Sequence, residues 1–125
     1  MDLEQLVEEY SQQWRADAKC ADVPCDPEDF YPITRSSTYH EAAGRAKQVC
    51  NGEDGLPKCE VRAQCLVYAL RIDEEHGIYG GLSRRERNAL LRKWRSLDPH
   101  VTFDIPDEDL LPAVEVMLTQ RDKTV

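Results

Sequence analysis

Five cysteines, Cys20, Cys25, Cys50, Cys59 and Cys65, are the residues of this chain best equipped for chemistry. A deprotonated thiol is a soft anionic ligand, and four of them can hold a zinc ion or an iron-sulfur cluster. The odd count argues against a closed set of disulfides. From Cys20 to Cys50, Cys59 and Cys65 the successive intervals leave 29, 8 and 5 residues between. No Cys-x-x-Cys pair occurs anywhere, so the hairpin pairs typical of zinc ribbons are missing. The competing use of these thiols is as small buried apolar groups, because free cysteine is among the most buried residue types. His40, His76 and His100 are scattered, share no ligand pattern and read as surface histidines.

The rest of the composition says why such a centre would matter. At 125 residues, 41% apolar with only two Phe and two Trp, the chain has room for one domain with a thin core. Small domains of this kind commonly recruit a metal or disulfides. Met1 to Tyr10 carries four acidic residues and no apolar run, which fits neither a secretory signal nor an anchor. No stretch approaches the roughly 20 apolar residues of a membrane span. The expected compartment is therefore the cytoplasm, where thiols stay reduced and cysteine clusters more often bind metal. The net charge of −8 is unevenly spread. From Arg84 to Arg95 six basic residues, Arg84, Arg85, Arg87, Arg92, Lys93 and Arg95, face one acid, Glu86, whereas Asp98 to Asp109 holds five acids and no Lys or Arg.

The elements that must position these groups are helical. Leu3, Leu6, Val7, Tyr10 and Trp14 predict a first amphipathic helix leading to Cys20. The prolines at 24, 27 and 32 predict an irregular loop over Ala21 to Ser37. Tyr39, Ala42, Ala43, Ala46 and Cys50 mark a second helix, broken by Asn51, Gly52, Gly55 and Pro57. Val61, Cys65, Tyr68, Ala69 and Ile72 mark a third, with Gly77 as its expected C-cap. Ser83 and Glu86 form a capping box that opens a fourth helix through Leu90, Leu91 and Trp94, carrying the basic run. Val101, Phe103 and Ile105 predict a short strand, and Asp109 the cap of a last helix with Pro112 in its first turn and Val114, Met117 and Leu118 on one face.

Several of these segments resemble, in order, those of the WhiB-like family of actinobacterial and phage iron-sulfur transcription regulators. The opening is Trp14-Arg15-Ala16-Asp17-Ala18-Lys19-Cys20, then Asp26-Pro27-Glu28-Asp29-Phe30-Tyr31-Pro32. Ala46-Lys47-Gln48-Val49-Cys50 and the run from Cys59 through Cys65 to Leu70 follow, then Gly77-Ile78-Tyr79-Gly80-Gly81-Leu82-Ser83-Arg84-Arg85-Glu86-Arg87. The resemblance spans roughly Trp14 to Arg95 and implies a mainly α fold. It is a small domain of four to five helices, organised around a cluster, with irregular loops and the short strand near the C-terminus. The domain then covers residues 1–95, and residues 96–125 form an acidic and apolar extension.

The same resemblance implies a 4Fe-4S cluster on Cys20, Cys50, Cys59 and Cys65, reactive toward oxygen or nitric oxide. It implies two partners: the C-terminal domain of the principal sigma factor of RNA polymerase, met through Trp14, Gly77, Ile78, Tyr79, Gly80 and Gly81, and promoter DNA. The DNA would be met through Arg84, Arg85, Arg87, Arg92, Lys93 and Arg95. It implies no small-molecule substrate. Three departures stand out. Eight residues, Asn51 to Lys58, separate the second and third cysteines where the family has two; Tyr79 replaces a family Trp; and Cys25 has no counterpart. The eight-residue spacer also weakens the alternative of a protein disulfide reductase, whose chemistry favours a Cys-x-x-Cys pair. A zinc-stabilised interaction module is the other alternative. Taken alone, the glycine-rich turn is explained by the need to stop one helix and start another, and the basic run by an ordinary solvated face.

Overall fold

The structure, a computed structural model, describes residues 13–23, 25–33 and 35–124. Five α-helices follow one another: α1 (Lys19–Asp22), α2 (Tyr39–Asn51), α3 (Arg62–Arg71), α4 (Arg84–Leu97) and α5 (Asp107–Thr124). Single 3₁₀ turns, Gln13–Asp17 and Pro27–Phe30, flank α1. The mainly helical expectation holds. The first helix expected from Leu3 lies outside the described residues except for its end, where Trp14 sits in the 3₁₀ turn.

Two apolar clusters hold the helices. The larger joins Ala63, Leu66 and Val67 of α3 to Leu82 and Leu90 and to Leu110, Val114 and Leu118 of α5, with Trp94, Phe103, Ile105 and Met117 packed against it. The smaller joins Ala43 and Ala46 of α2 to Ile78, with Phe30 and Tyr39 beside them. Leu110, Val114 and Leu118 recur every four residues, so one stripe of α5 closes the main core. The segment beyond residue 96 therefore shares the core of the helices before it.

Three local expectations are corrected. The strand over Val101–Ile105 is absent; among the described residues the one β-bridge pairs Tyr79 with Leu82. Arg71 takes the place of a partner strand: its guanidinium donates to the carbonyls of Phe103 at 3.1 Å and Ile105 at 2.7 Å. Phe103 meanwhile packs edge-on against Trp94. Helix α5 begins at Asp107, two residues before the expected cap, and Pro112 falls inside it, beyond its first turn. Gly77 does not cap α3. The helix stops at Ile72, Asp73 takes a left-handed φ of 50°, and the Glu74 N–H returns to the Ala69 carbonyl at 2.9 Å. That is a Schellman closure built on an aspartate. Gly52, φ 72°, does end α2, and the Ser83–Glu86 capping box forms as expected.

Candidate functional site

A cavity of about 300 Å³ opens between α1, α2 and α3, and all five cysteines line it. Cys20 comes from the one-turn helix α1, Cys50 from the last turn of α2, Cys59 from the loop before α3, and Cys65 from the first turn of α3. Two of the sulfurs accept backbone N–H groups, Cys59 from Lys19 at 3.4 Å and Cys65 from Gly80 at 3.2 Å, and the Gly81 N–H acts electrostatically on the Cys50 sulfur. Burial pushes the Cys65 thiol up to about 12 and the Cys50 thiol higher still, with neighbouring thiols reinforcing the effect. These sulfurs are protonated in the metal-free chain and must release protons to bind a metal. Among the described residues, no three His, Cys, Asp or Glu side chains gather closely enough to hold a single metal ion.

The glycine-rich turn has a specific task here. Tyr79 and Leu82 exchange two backbone hydrogen bonds of 3.0 Å, and between them Gly80 and Gly81 have φ of 61° and 80°. Two positive φ values in a two-residue loop are those of a type I′ turn. A Cβ on Gly80 would meet the Arg62 carbonyl at 2.8 Å, and one on Gly81 the Asn51 side chain at 2.3 Å. Only glycines let this turn wedge between the end of α2 and the start of α3 and aim two N–H groups at Cys50 and Cys65.

An aromatic wall bounds the same cavity. Trp14 packs on Tyr68 with ring centroids 5.9 Å apart, Tyr68 on Tyr79 at 6.3 Å, and Tyr79 edge-on to Tyr31 at 6.1 Å. The Tyr31 and Tyr79 hydroxyls are 2.7 Å apart, and the Arg15 guanidinium lies over both Trp14 and Tyr68. The surface expected around Tyr79 is thereby corrected. Ile78, Tyr79, Gly80 and Gly81 are buried, because the tight turn folds inward, whereas Tyr31 is 52% exposed and Trp14 half-buried. Sequence reasoning placed Arg15 and Tyr31 only within the family-like motifs and Tyr68 only in the apolar stripe of its helix, three residues beyond Cys65, and gave none of them a part in the site.

The basic run divides in two. Arg87 is 3% exposed and donates to the carbonyls of Glu74 at 2.8 Å, Gly77 at 2.9 Å and Leu82 at 3.0 Å. A guanidinium committed to the backbone of the turn before α4 is not available to DNA, which corrects its expected role. Arg84 is half-buried and reaches the Glu74 carbonyl. Arg85, Arg92, Lys93 and Arg95 are exposed. At about 100° per residue, Arg84, Arg85, Arg92 and Arg95 share one arc of α4, opposite Leu90 and Trp94, while Lys93 stands apart. His40, His76 and His100 are exposed, as expected.

No helix among the described residues is long and apolar enough to cross a membrane. Residues 14–90 match the family described as Transcription factor WhiB. The transcriptional regulator WhiB2 of Mycobacterium tuberculosis is 46% identical over 89 residues, 71% of this chain and 85% of the relative. WhiB of Streptomyces coelicolor is 47% identical over 77 residues, 62% of this chain and 74% of the relative. WhiB1 of Bifidobacterium longum is 39% identical over 80 residues, 64% of this chain and 78% of the relative. With the matched span running from the aromatic wall through all the cysteines into α4, the chain belongs to the WhiB family of transcription factors.

Proposed function

We propose that this transcriptional regulator carries a 4Fe-4S cluster on Cys20, Cys50, Cys59 and Cys65, and that the loaded protein binds the C-terminal domain of the principal sigma factor and, secondarily, promoter DNA. The observation that carries the reading is the cavity: four thiols from four segments surround it, and two of them, Cys59 and Cys65, accept backbone N–H groups. Hydrogen bonds to sulfur are a recognised lever on iron-sulfur centres. A tetrahedral zinc, with each sulfur about 2.3 Å away, would draw the four to within about 3.8 Å of one another. Thiols ranged around a cavity suit a larger, polynuclear group better than one ion. When bound, the cluster supplies iron-sulfur bonds open to attack by oxygen or nitric oxide.

The protein's own residues do the rest. The Gly80 and Lys19 N–H groups fix and polarise two sulfurs, Cys65 and Cys59, while the aromatic wall restricts water on one side. Trp14 and Tyr31 offer the rim of that wall to a protein partner, in place of the buried Tyr79. Arg85, Arg92 and Arg95 offer an exposed basic strip whose contacts are phosphate contacts, sufficient when sigma supplies the anchoring.

Metal analysis of anaerobically purified protein tests the centre. About four iron and four acid-labile sulfide per chain are expected; stoichiometric zinc without sulfide would replace the reading with a zinc-stabilised module. Serine at Cys20, Cys50, Cys59 or Cys65 should abolish retention of iron and sulfide, and Cys25→Ser should not. Anaerobic calorimetry against the isolated sigma domain tests the partner. Trp14→Ala and Tyr31→Ala should each weaken binding by about 2 kcal/mol, and the cluster-free chain should bind far less. Equal affinity across the set would remove that interface.

A further inference from the structure

Cys25 belongs to none of the roles above, yet its place is specific. It lines the same cavity, and its Sγ donates to the Cys20 carbonyl across 3.3 Å. The two residues sit on one segment, five positions apart, with Cys20 exposed and Cys25 partly so. Cys59 also neighbours Cys20, but it lies on a separate loop, where its sulfur is engaged by the Lys19 N–H. Cys50 is buried, and the Cys65 sulfur accepts the Gly80 N–H.

We propose that Cys20 and Cys25 form a dithiol pair which, in the cluster-free chain, reacts with a small-molecule disulfide and closes an intramolecular Cys20–Cys25 bond. Written with glutathione disulfide, the Cys25 thiolate attacks one glutathione sulfur. The glutathione S–S bond breaks, and one glutathione leaves with the electron pair and takes up a proton. Cys20 then attacks the Cys25 sulfur of the mixed disulfide, forms the protein S–S bond and releases the second glutathione thiol. Two protein thiols are oxidised by two electrons, and one glutathione disulfide becomes two thiols. Closure withdraws Cys20 from the other three sulfurs, so the oxidised chain cannot rebuild a four-thiolate site until it is reduced. That consequence rests on the cluster reading; the disulfide itself does not.

The experiment treats the full-length, metal-free, reduced chain with glutathione disulfide, blocks free thiols by alkylation and maps the peptides without reduction. Trypsin cuts after Lys19 and Arg35, so the expected bond appears within one peptide, two hydrogens lighter and unalkylated at both cysteines. Cleavage before Asp22 then leaves two peptides joined through sulfur. In Cys20→Ser, which lacks the resolving thiol, Cys25 should instead retain glutathione. A dominant link from Cys20 to the Cys59–Arg62 peptide, or full alkylation of Cys20 and Cys25, overturns the proposal. Repeating the treatment on anaerobic, iron-loaded protein separates the two readings. Protection of the pair supports both, while equal oxidation keeps the disulfide and removes Cys20 from the ligand set.

Discussion

Arg87 shows how far a residue's environment can redirect its charge. In the sequence it is one of six basic residues in a row of twelve; in the fold it is the bolt of the turn that carries Tyr79, Gly80 and Gly81. Burial lowers its affinity for a proton, though an arginine stays charged. Its charge is offset by carbonyl dipoles and by the Tyr79 ring, 5.5 Å from the guanidinium carbon. Arg87→Ala should therefore leave several carbonyls without a donor and cost at least about 2 kcal/mol. Arg85→Ala, on the open face, should stay within about 0.5 kcal/mol. Urea unfolding of the two variants under matched conditions decides between them: equal losses would mean that Arg87 is no more than another surface charge.

At the scale of the element, α4 is a helix with two unrelated faces. The capping box fixes its start, since the Ser83 hydroxyl accepts the Glu86 N–H while the Glu86 carboxylate accepts the Ser83 N–H. That start sets the rotation which turns Leu90 and Trp94 inward and Arg85, Arg92 and Arg95 outward. Reversing the charge of these three arginines should weaken DNA association of the sigma-bound complex and flatten its dependence on salt, with iron and sulfide content unchanged. Undiminished, salt-sensitive binding by the triple variant would leave the strip as an ordinary solvated face.

Over the whole molecule, α5 ties the cysteine site to the chain's C-terminal part. Asp122 accepts from Arg62 at 2.9 Å and from Lys58 at 2.8 Å, Arg62 also holds Asn51, and Arg121 reaches Glu86, which Lys47 pairs from α2. The spacer between Cys50 and Cys59 is thus pinned at its far end by a residue beyond the matched span. Burial raises the Asp122 carboxyl, but hydrogen bonds from Arg62 and Lys58 outweigh it and leave it below the ordinary carboxylate value. Burial likewise raises Glu86, and Lys47 and Ser83 more than reverse that. A carboxyl held low in the fold binds its proton later than in the unfolded chain, so stability rises with pH across that window. The contribution is complete above the unfolded values near 4 and is lost as pH falls through the lowered folded ones. Urea unfolding of the reduced, metal-free chain between neutral pH and about pH 3 should show this loss. In Asp122→Asn it should start from a lower plateau and fall less steeply. A parallel curve for the variant would remove Asp122 from the linkage.

The sequence by itself determined what depends on neighbours along the chain. Periodic apolar residues set α2 and α3, a side chain three residues from its partner set the start of α4, and the cysteines in their order, with their flanking motifs, identified the family. The tertiary structure alone decided what depends on elements meeting. Alternation at Val101, Phe103 and Ile105 reads as a strand, yet a strand needs a partner ladder, and the guanidinium of Arg71 supplied the donors instead. Tyr79 reads as a presented aromatic, yet the I′ turn that aims N–H groups at Cys50 and Cys65 must fold inward and buries it, leaving Tyr31 on the rim. Arg84 through Arg95 reads as one basic run, yet helical rotation against the core sends Arg87 to one side and Arg85, Arg92 and Arg95 to the other. Local propensity acts through a few bonds of chain, whereas burial and hydrogen-bond partnership are settled only when distant segments compete for the same space.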